Sequence, residues 1–541
     1  MKQRARRLSV VALVALVGLL AFGLGSRAPG SPAAVRSSGT FRVASAAGDL
    51  DYMDPALSYE VTAWGLLDAA CAKLMTYPDK SAPAGLRIIP EVAARPPAIS
   101  DDAKTFTFTL RTGFRFSDGT PVRASAFAHE INRILMLGPG SQGWQFVEDI
   151  VGADAVRDGK ATRAKGVTAT GNRLVVRLTA PDPDFAARTT MPFFCAVPPN
   201  LPVDPEGLNA FPGSGPYYVS QYVPGQRVVL LRNRYYRGSR PHHVDSFVAD
   251  LTVPSTRAIL QQVDDGQADW GNAIPPDYYD PALGLVGKYG TKGPRLFAEP
   301  GLTMRGYALN VARPLFRNNL ALRRALNYAV DRPAFVNTPD TPIGTASGQY
   351  LPTALPGFRD AHLYPVDGPD LKKARALARG HTRSGKAVLW TIDVPQAVGA
   401  GQILKRNFAA IGLDVTIKAF PGKAYYDLAG AGGAFDIAFS PWTADYVDPY
   451  QYVNVLLESR SIGGANFGRF NSPKYDALMR RAARLTGDAR YRAYGDLDVQ
   501  LARDAAPRVE VANDAATTFV SKRVGCVVLR PFLDLTAACL K

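Results

Sequence analysis

Two periodicities take turns along this chain. GTFRVASA, residues 39–46, and NRLVVRLTAP, residues 172–181, alternate apolar and polar side chains and read as strands, as does RVVLLRNRYY, residues 227–236. KTFTFTLRTGFRFSDGTPV, residues 104–122, alternates on both sides of Thr112 and Gly113, which predicts a β-hairpin turning there. ASAFAHEINRIL, residues 124–135, then switches to the helical period, with Ser125 as the expected N-cap.

The second half has a stricter rhythm. GYALNV (306–311) reads as a strand and NNLALRRALNYAV (318–330) as a helix carried by Leu320, Leu322, Leu326 and Val330, with Pro333 just past its end. DLKKARALA (370–378) is helical, AVLWTIDV (387–394) a strand, and QILKRNFAAIG (402–412) a helix closed by Gly412. DVTIKAF (414–420) and FDIAFS (435–440) are strands, and two helical stretches, 473–485 and 489–504, precede a strand-rich tail. Strands alternating with helices of this length predict parallel pairing with helical crossovers, so the fold class is α/β.

The N-terminus changes where this fold is expected to work. Lys2, Arg4, Arg6 and Arg7 precede an apolar run of about eighteen residues from Leu8 to Gly25, followed by small residues and prolines. Residues 1–38 therefore read as a secretory signal cleaved near Ala34, or as an uncleaved N-terminal anchor. The remainder is expected outside the cytoplasm, where four cysteines, Cys71, Cys195, Cys526 and Cys539, can form disulfides. Cys526 and Cys539, close together near the tail, are the preferred pair, against a reading as buried free thiols.

With 541 residues the chain has room for three or four domains or lobes, and 47% hydrophobic residues suit a packed globular protein. The formal charge of +16 is spread as scattered arginines without a run of five like charges, which reads as a solvated surface and not as a nucleic-acid site.

Several chemistries fail on spacing. GHTRSGKA, residues 380–387, approaches a phosphate-binding loop but places Ala387 where a magnesium-binding hydroxyl is needed, and it leads from helix to strand instead of the reverse. The histidines, at 129, 242, 243, 362 and 381, offer no helical pair for a metal. FPGSGPY lacks the glycine placement of a serine nucleophile elbow. No cofactor, metal site or catalytic residue is expected.

PWTADYVDPYQYV, residues 441–453, is the exception. It leaves the carboxyl end of the strand 435–440, the edge at which α/β sheets bind ligands. Trp442, Tyr446 and Tyr450 supply flat walls, and Asp445 or Asp448 a charge that a cationic ligand would satisfy. Asp448 reads as the start of an Asp-Pro turn; Asp445 is either a ligand-facing carboxylate or a helix cap.

Taken in order, FRVASA with MDPAL, the stretch from Ile88 to Leu135, FPGSGPYYV, residues 308–332, FDIAFSPWTADYVDPYQY and GRFNSPKYDALMRRA resemble family 5 of the extracellular solute-binding proteins, the dipeptide and oligopeptide receptors of ABC importers. The resemblance implies a two-lobed cleft of the periplasmic-binding-protein type (type II), with an extra domain on the N-terminal lobe, closing by hinge motion. It places lobe I at 40–72, 205–300 and 506–541, the extra domain at 73–204 and lobe II at 301–505, with hinge crossings near Gly301 and Pro507.

In peptide-binding members an aspartate of the W-x-x-D-Y segment holds the ligand's free α-amino group, and Asp445 matches it. Trp442 and Tyr446 would line the cleft, and the Thr443 amide would bond the peptide main chain. The implied partners are a short peptide and the membrane permease, with the receptor a monomer and no enzyme. The other cargoes considered are nickel complexes, haem, sugars and opines; an exported peptide hydrolase is the remaining alternative. The family's frequent lipid-anchoring cysteine after the signal has no counterpart before Cys71, which leaves release or the N-terminal anchor as the expected state.

Overall fold

The computed structural model describes residues 38–46, 48–273, 275–336, 344–530 and 533–541. The expected signal or anchor, 1–38, lies almost wholly outside the described residues, at 1–37. Three sheets organise the rest. In the first, Trp270–Gly271, Thr40–Ala46, Ser246–Val253, Arg227–Arg232 and Tyr217–Val223 lie side by side in that order. Thr40–Ala46 pairs in parallel with both its neighbours, and the remaining pairs are antiparallel. Phe41, Val43, Phe247 and Tyr217 fill one core, closed by the helix Val61–Ala70 through Leu66 and Leu67.

A four-stranded antiparallel sheet, ordered Ala98–Ile99, Thr105–Thr109, Arg173–Arg177 and Val167–Thr170, packs Phe106, Phe108, Leu174 and Val176 against Phe127 and Ile131 of the helix Ala124–Leu137. Here the hairpin expected at Thr112–Gly113 does not form. Thr105–Thr109 pairs with Arg173–Arg177 instead, because Phe106 and Phe108 then share one buried face with Leu174 and Val176. Ser125 falls inside the first helical turn: Arg123 is the N-cap residue and contributes no side-chain cap.

The largest sheet runs Gly344–Ala346, Arg508–Phe519, Leu296–Leu309, Ile437–Phe439, Lys386–Ile392 and Asp414–Phe420, with Trp442–Thr443 added beside Leu296–Leu309. Lys386–Ile392 pairs in parallel with both Asp414–Phe420 and Ile437–Phe439, as the strand-helix alternation requires.

Two long antiparallel strands, Leu296–Leu309 and Arg508–Phe519, join this sheet to the first. Their register breaks between Pro300 and Met304, where Gly301 bulges so close to the backbone at Asp514 and Ala515 that a side chain would not fit. Beyond the bulge, Phe519 enters the core around Ile259 and Val263, and Val520 bridges to Trp270. At the other end of the pairing the Pro507 carbonyl accepts a bond from the Leu309 amide, and the register break after Pro300 lies opposite Ala515. Arg508–Phe519 lies wholly within the large sheet, and Val520 just beyond it bridges to Trp270 of the first.

Both cysteine pairs are bonded. Cys526–Cys539 staples two paired tail strands, and Cys71–Cys195 joins the end of the helix Val61–Ala70 to the segment after the four-stranded region.

Candidate functional site

A cavity of about 520 Å³ opens where these sheets meet. The helix Val61–Ala70 presents Val61, Trp64 and Asp68 to it, residues spaced three and four apart and therefore on one face. The bulge Gly301–Thr303 and the facing residues Asp514–Thr518 form a second wall, and residues 443–447 a third. At the bulge the buried Leu302 and the partly buried Thr303 form part of the cavity wall.

Asp445 stands in the third wall. It is partly buried, and burial raises its carboxyl above the usual aspartate value, with a hydrogen bond from Tyr59 acting the other way. That bond, 2.6 Å from the Tyr59 hydroxyl to Oδ1, reaches across from the turn before the helix Val61–Ala70. Tyr59 is itself held by aromatic contact, edge-on to Trp64 and stacked with Phe193. No Lys, Arg or His among the described residues forms an ion pair with Asp445, so its charge faces the cavity uncompensated.

The other expected residues are distributed differently. Thr443 lines the cavity from an edge strand, its hydroxyl 2.8 Å from that of Thr303. Trp442, its neighbour, does not line the cavity. Strand alternation turns it to the opposite side, where it packs on the core of the large sheet with its indole N–H buried and unpartnered.

Tyr446 reaches the cavity wall but is 4% exposed, and its hydroxyl donates to Asp184 inside the core of the four-stranded region. Burial lifts the Asp184 carboxyl, but the Arg188 guanidinium and the Tyr446 hydroxyl outweigh it and hold the group below the usual aspartate range. The Val447 amide likewise donates to the Tyr77 hydroxyl at 3.0 Å. Loop 445–447 is thus anchored on elements far away in sequence.

Asp448 is buried, receives Arg490 on both oxygens at 2.7 and 2.9 Å, and accepts from the Tyr450 amide at 2.9 Å, closing the turn that precedes the helix Tyr450–Leu457. Among the described residues no group of three or more His, Cys, Asp or Glu is placed to hold a metal. Tyr59, Trp64, Asp68 and the 514–518 wall were not foreseen. Tyr59 is 386 residues from Asp445, and no local pattern joins them.

Two lobes with a cavity between them, joined by paired strands and carrying a third sheet on one lobe, define a periplasmic-binding-protein architecture. The chain belongs to the bacterial extracellular solute-binding proteins, family 5, whose middle-region model matches residues 87–464. It is 27% identical over 428 residues to the periplasmic oligopeptide-binding protein OppA of Escherichia coli, covering 75% of this chain and 76% of that one. It is 25% identical over 466 residues to heme-binding protein A of Haemophilus influenzae, covering 80% of each. Among solved structures, an oligopeptide-binding protein of clavulanic acid biosynthesis superposes with a TM-score of 0.77 at 24% identity, over 93% of this chain and 96% of that one.

Proposed function

We propose that this protein is the extracytoplasmic receptor of an ABC importer that captures short peptides by their free α-amino group and delivers them to a membrane permease. The observation that carries this reading is Asp445: a partly buried carboxylate facing an interlobe cavity, given one neutral donor and no cation. A ligand ammonium there would supply a charge-assisted hydrogen bond of about 1.5–3 kcal/mol. The names of the relatives favour peptides over the other cargoes, OppA among them.

The Thr443 strand edge offers main-chain groups to an extended ligand, which is how peptides are commonly read. Hinge motion is assigned to the bulge at Gly301 and the facing Ala515, where the two connecting strands lose register. Export follows from membership of an extracellular family, and the protein acts as a monomer.

A thermal-shift screen with short peptides, each paired with its N-acetylated form, tests the reading. At a ligand concentration of 100 times Kd the free-amine form stabilises the protein by about 2.7 kcal/mol. Equal shifts from the acetylated form, or shifts only from haem, sugars or nickel, would refute it.

A further inference from the structure

Among the described residues of the cavity lining, every acid except Asp445 has its own cation. Asp68 pairs with Lys73 and with Arg240, and Arg240 pairs also with Glu91 at 2.7 Å. Asp514 pairs with Arg305 at 2.6 Å. Arg530 is the single cation among the described residues of the lining, and it is bound to Asp534, a carboxylate already fixed by the Thr536 amide and hydroxyl at 3.0 and 2.7 Å. Its other nitrogen donates to the Tyr77 carbonyl at 3.3 Å. The internal residues outside the description, 47, 274, 337–343 and 531–532, include no Lys, Arg or His that could add a cation.

The helix Val61–Ala70 starts at the rim, but carboxylates already stand there. Asp51 accepts the amides of Tyr59 and Glu60 at 2.6 and 3.3 Å, and Glu60 immediately precedes the helix. Burial and then the charges of Asp51 and Asp49 push the Glu60 carboxyl up. A protein of formal charge +16 thus carries a locally negative mouth and a cavity with one unanswered negative charge. Such a cleft concentrates cations and repels anions.

We propose that the site selects amine-bearing peptides and peptide-like cations whose carboxyl end is neutralised, and rejects those that bring a free carboxylate into the cavity. This deepens the receptor reading and rests on it. A free-acid dipeptide would satisfy Asp445 with its ammonium but strand its own carboxylate among Asp68, Asp514 and an Arg530 that is already occupied. A dipeptide amide carries the same ammonium and side chains without that second charge.

Calorimetric titration of the purified protein with Leu-Phe-amide, Leu-Phe free acid and N-acetyl-Leu-Phe-amide is the test. The amide binds about 10-fold or more tighter than the free acid, and the acetylated amide loses binding. Ala515→Lys, which adds a cation to the hinge wall of the cavity, shrinks the preference for the amide by about 10-fold.

Equal or tighter binding of the free acid, with the acetylated form still inactive, overturns this inference and leaves the receptor reading standing. Equal binding of the acetylated amide, or no binding by any of the three, overturns both. If Ala515→Lys does not fold, the comparison of the three ligands on the unaltered protein decides alone.

Discussion

Asp445 and Asp448 sit three residues apart in one loop and are opposite kinds of carboxylate. Asp448 is 2% exposed and receives both a bidentate guanidinium and a backbone amide, so the fold itself supplies everything its charge needs. Asp445 is partly buried with a single phenol donor, and burial pushes its carboxyl up. A carboxylate completed by its own protein holds structure together. One that is left incomplete in a cavity is held ready for something else.

The sharpest way to break that contrast is to remove the complete one. Asp448→Ala leaves Arg490 buried and unpaired, and should cost about 3–5 kcal/mol of stability, read by urea denaturation. A loss under 1 kcal/mol would mean that Arg490 finds other partners and that the two aspartates differ less than their geometry implies. Next in size is Cys71→Ser with Cys195→Ser. Opening the link across 124 residues should cost about 2–5 kcal/mol, while ligand affinity measured in the folded protein stays unchanged.

Much of this division was legible beforehand, and the failures have a common cause. Strand alternation and helical period located the large sheet, since Lys386–Ile392, Asp414–Phe420 and their crossover helix follow one another directly. The loop following Ile437–Phe439 leaves that sheet's edge, and its residues 443–447 line the cavity. The side on which Trp442 lies is not legible locally, because a strand of two residues has no pattern from which its facing side can be read. Nothing in the local sequence marks Tyr446 as pinned through its hydroxyl, because its partner, Asp184, lies 262 residues away. The hairpin at Thr112 was misread for the same reason: the strand that wins Thr105–Thr109 arrives some 60 residues later. The register break opposite Ala515 is likewise a property of two paired strands that no single strand encodes.

Neutralising the incomplete carboxylate should have the reverse signature. Asp445→Asn is expected to leave stability within about 0.5 kcal/mol while weakening binding of a free-amine peptide by about 1.5–3 kcal/mol, roughly 10- to 150-fold. In the unaltered protein the same charge sets a pH dependence. The folded carboxyl titrates above its unfolded value, so Asp445 costs stability as pH rises from the ordinary aspartate range to the raised one, and it is without effect below that window. Ligand binding runs the other way: it requires the ionised carboxylate, so affinity is full above the raised value and fades as pH falls through it. Titrations from pH 7 downward on protein and Asp445→Asn should separate the two, the variant lacking the acidic fall.

The smallest effect is expected from Tyr59→Phe, and it discriminates most finely. The Tyr59 hydroxyl stabilises the ionised form of Asp445, so its removal should move the acidic fall in affinity to higher pH. At pH 8, where the carboxylate is ionised with or without that donor, affinity should change by less than about 1 kcal/mol, because the ammonium supplies the bond the phenol gave up. The ring contacts with Trp64 and Phe193 survive the substitution, which confines the change to the hydroxyl. A shift of the pH profile without loss of affinity at pH 8 would place Tyr59 as a positioning residue that keeps Asp445 charged between ligands. A large loss at pH 8 would instead make the hydroxyl itself part of the ligand's binding surface, and Asp445 would no longer be the lone centre of recognition.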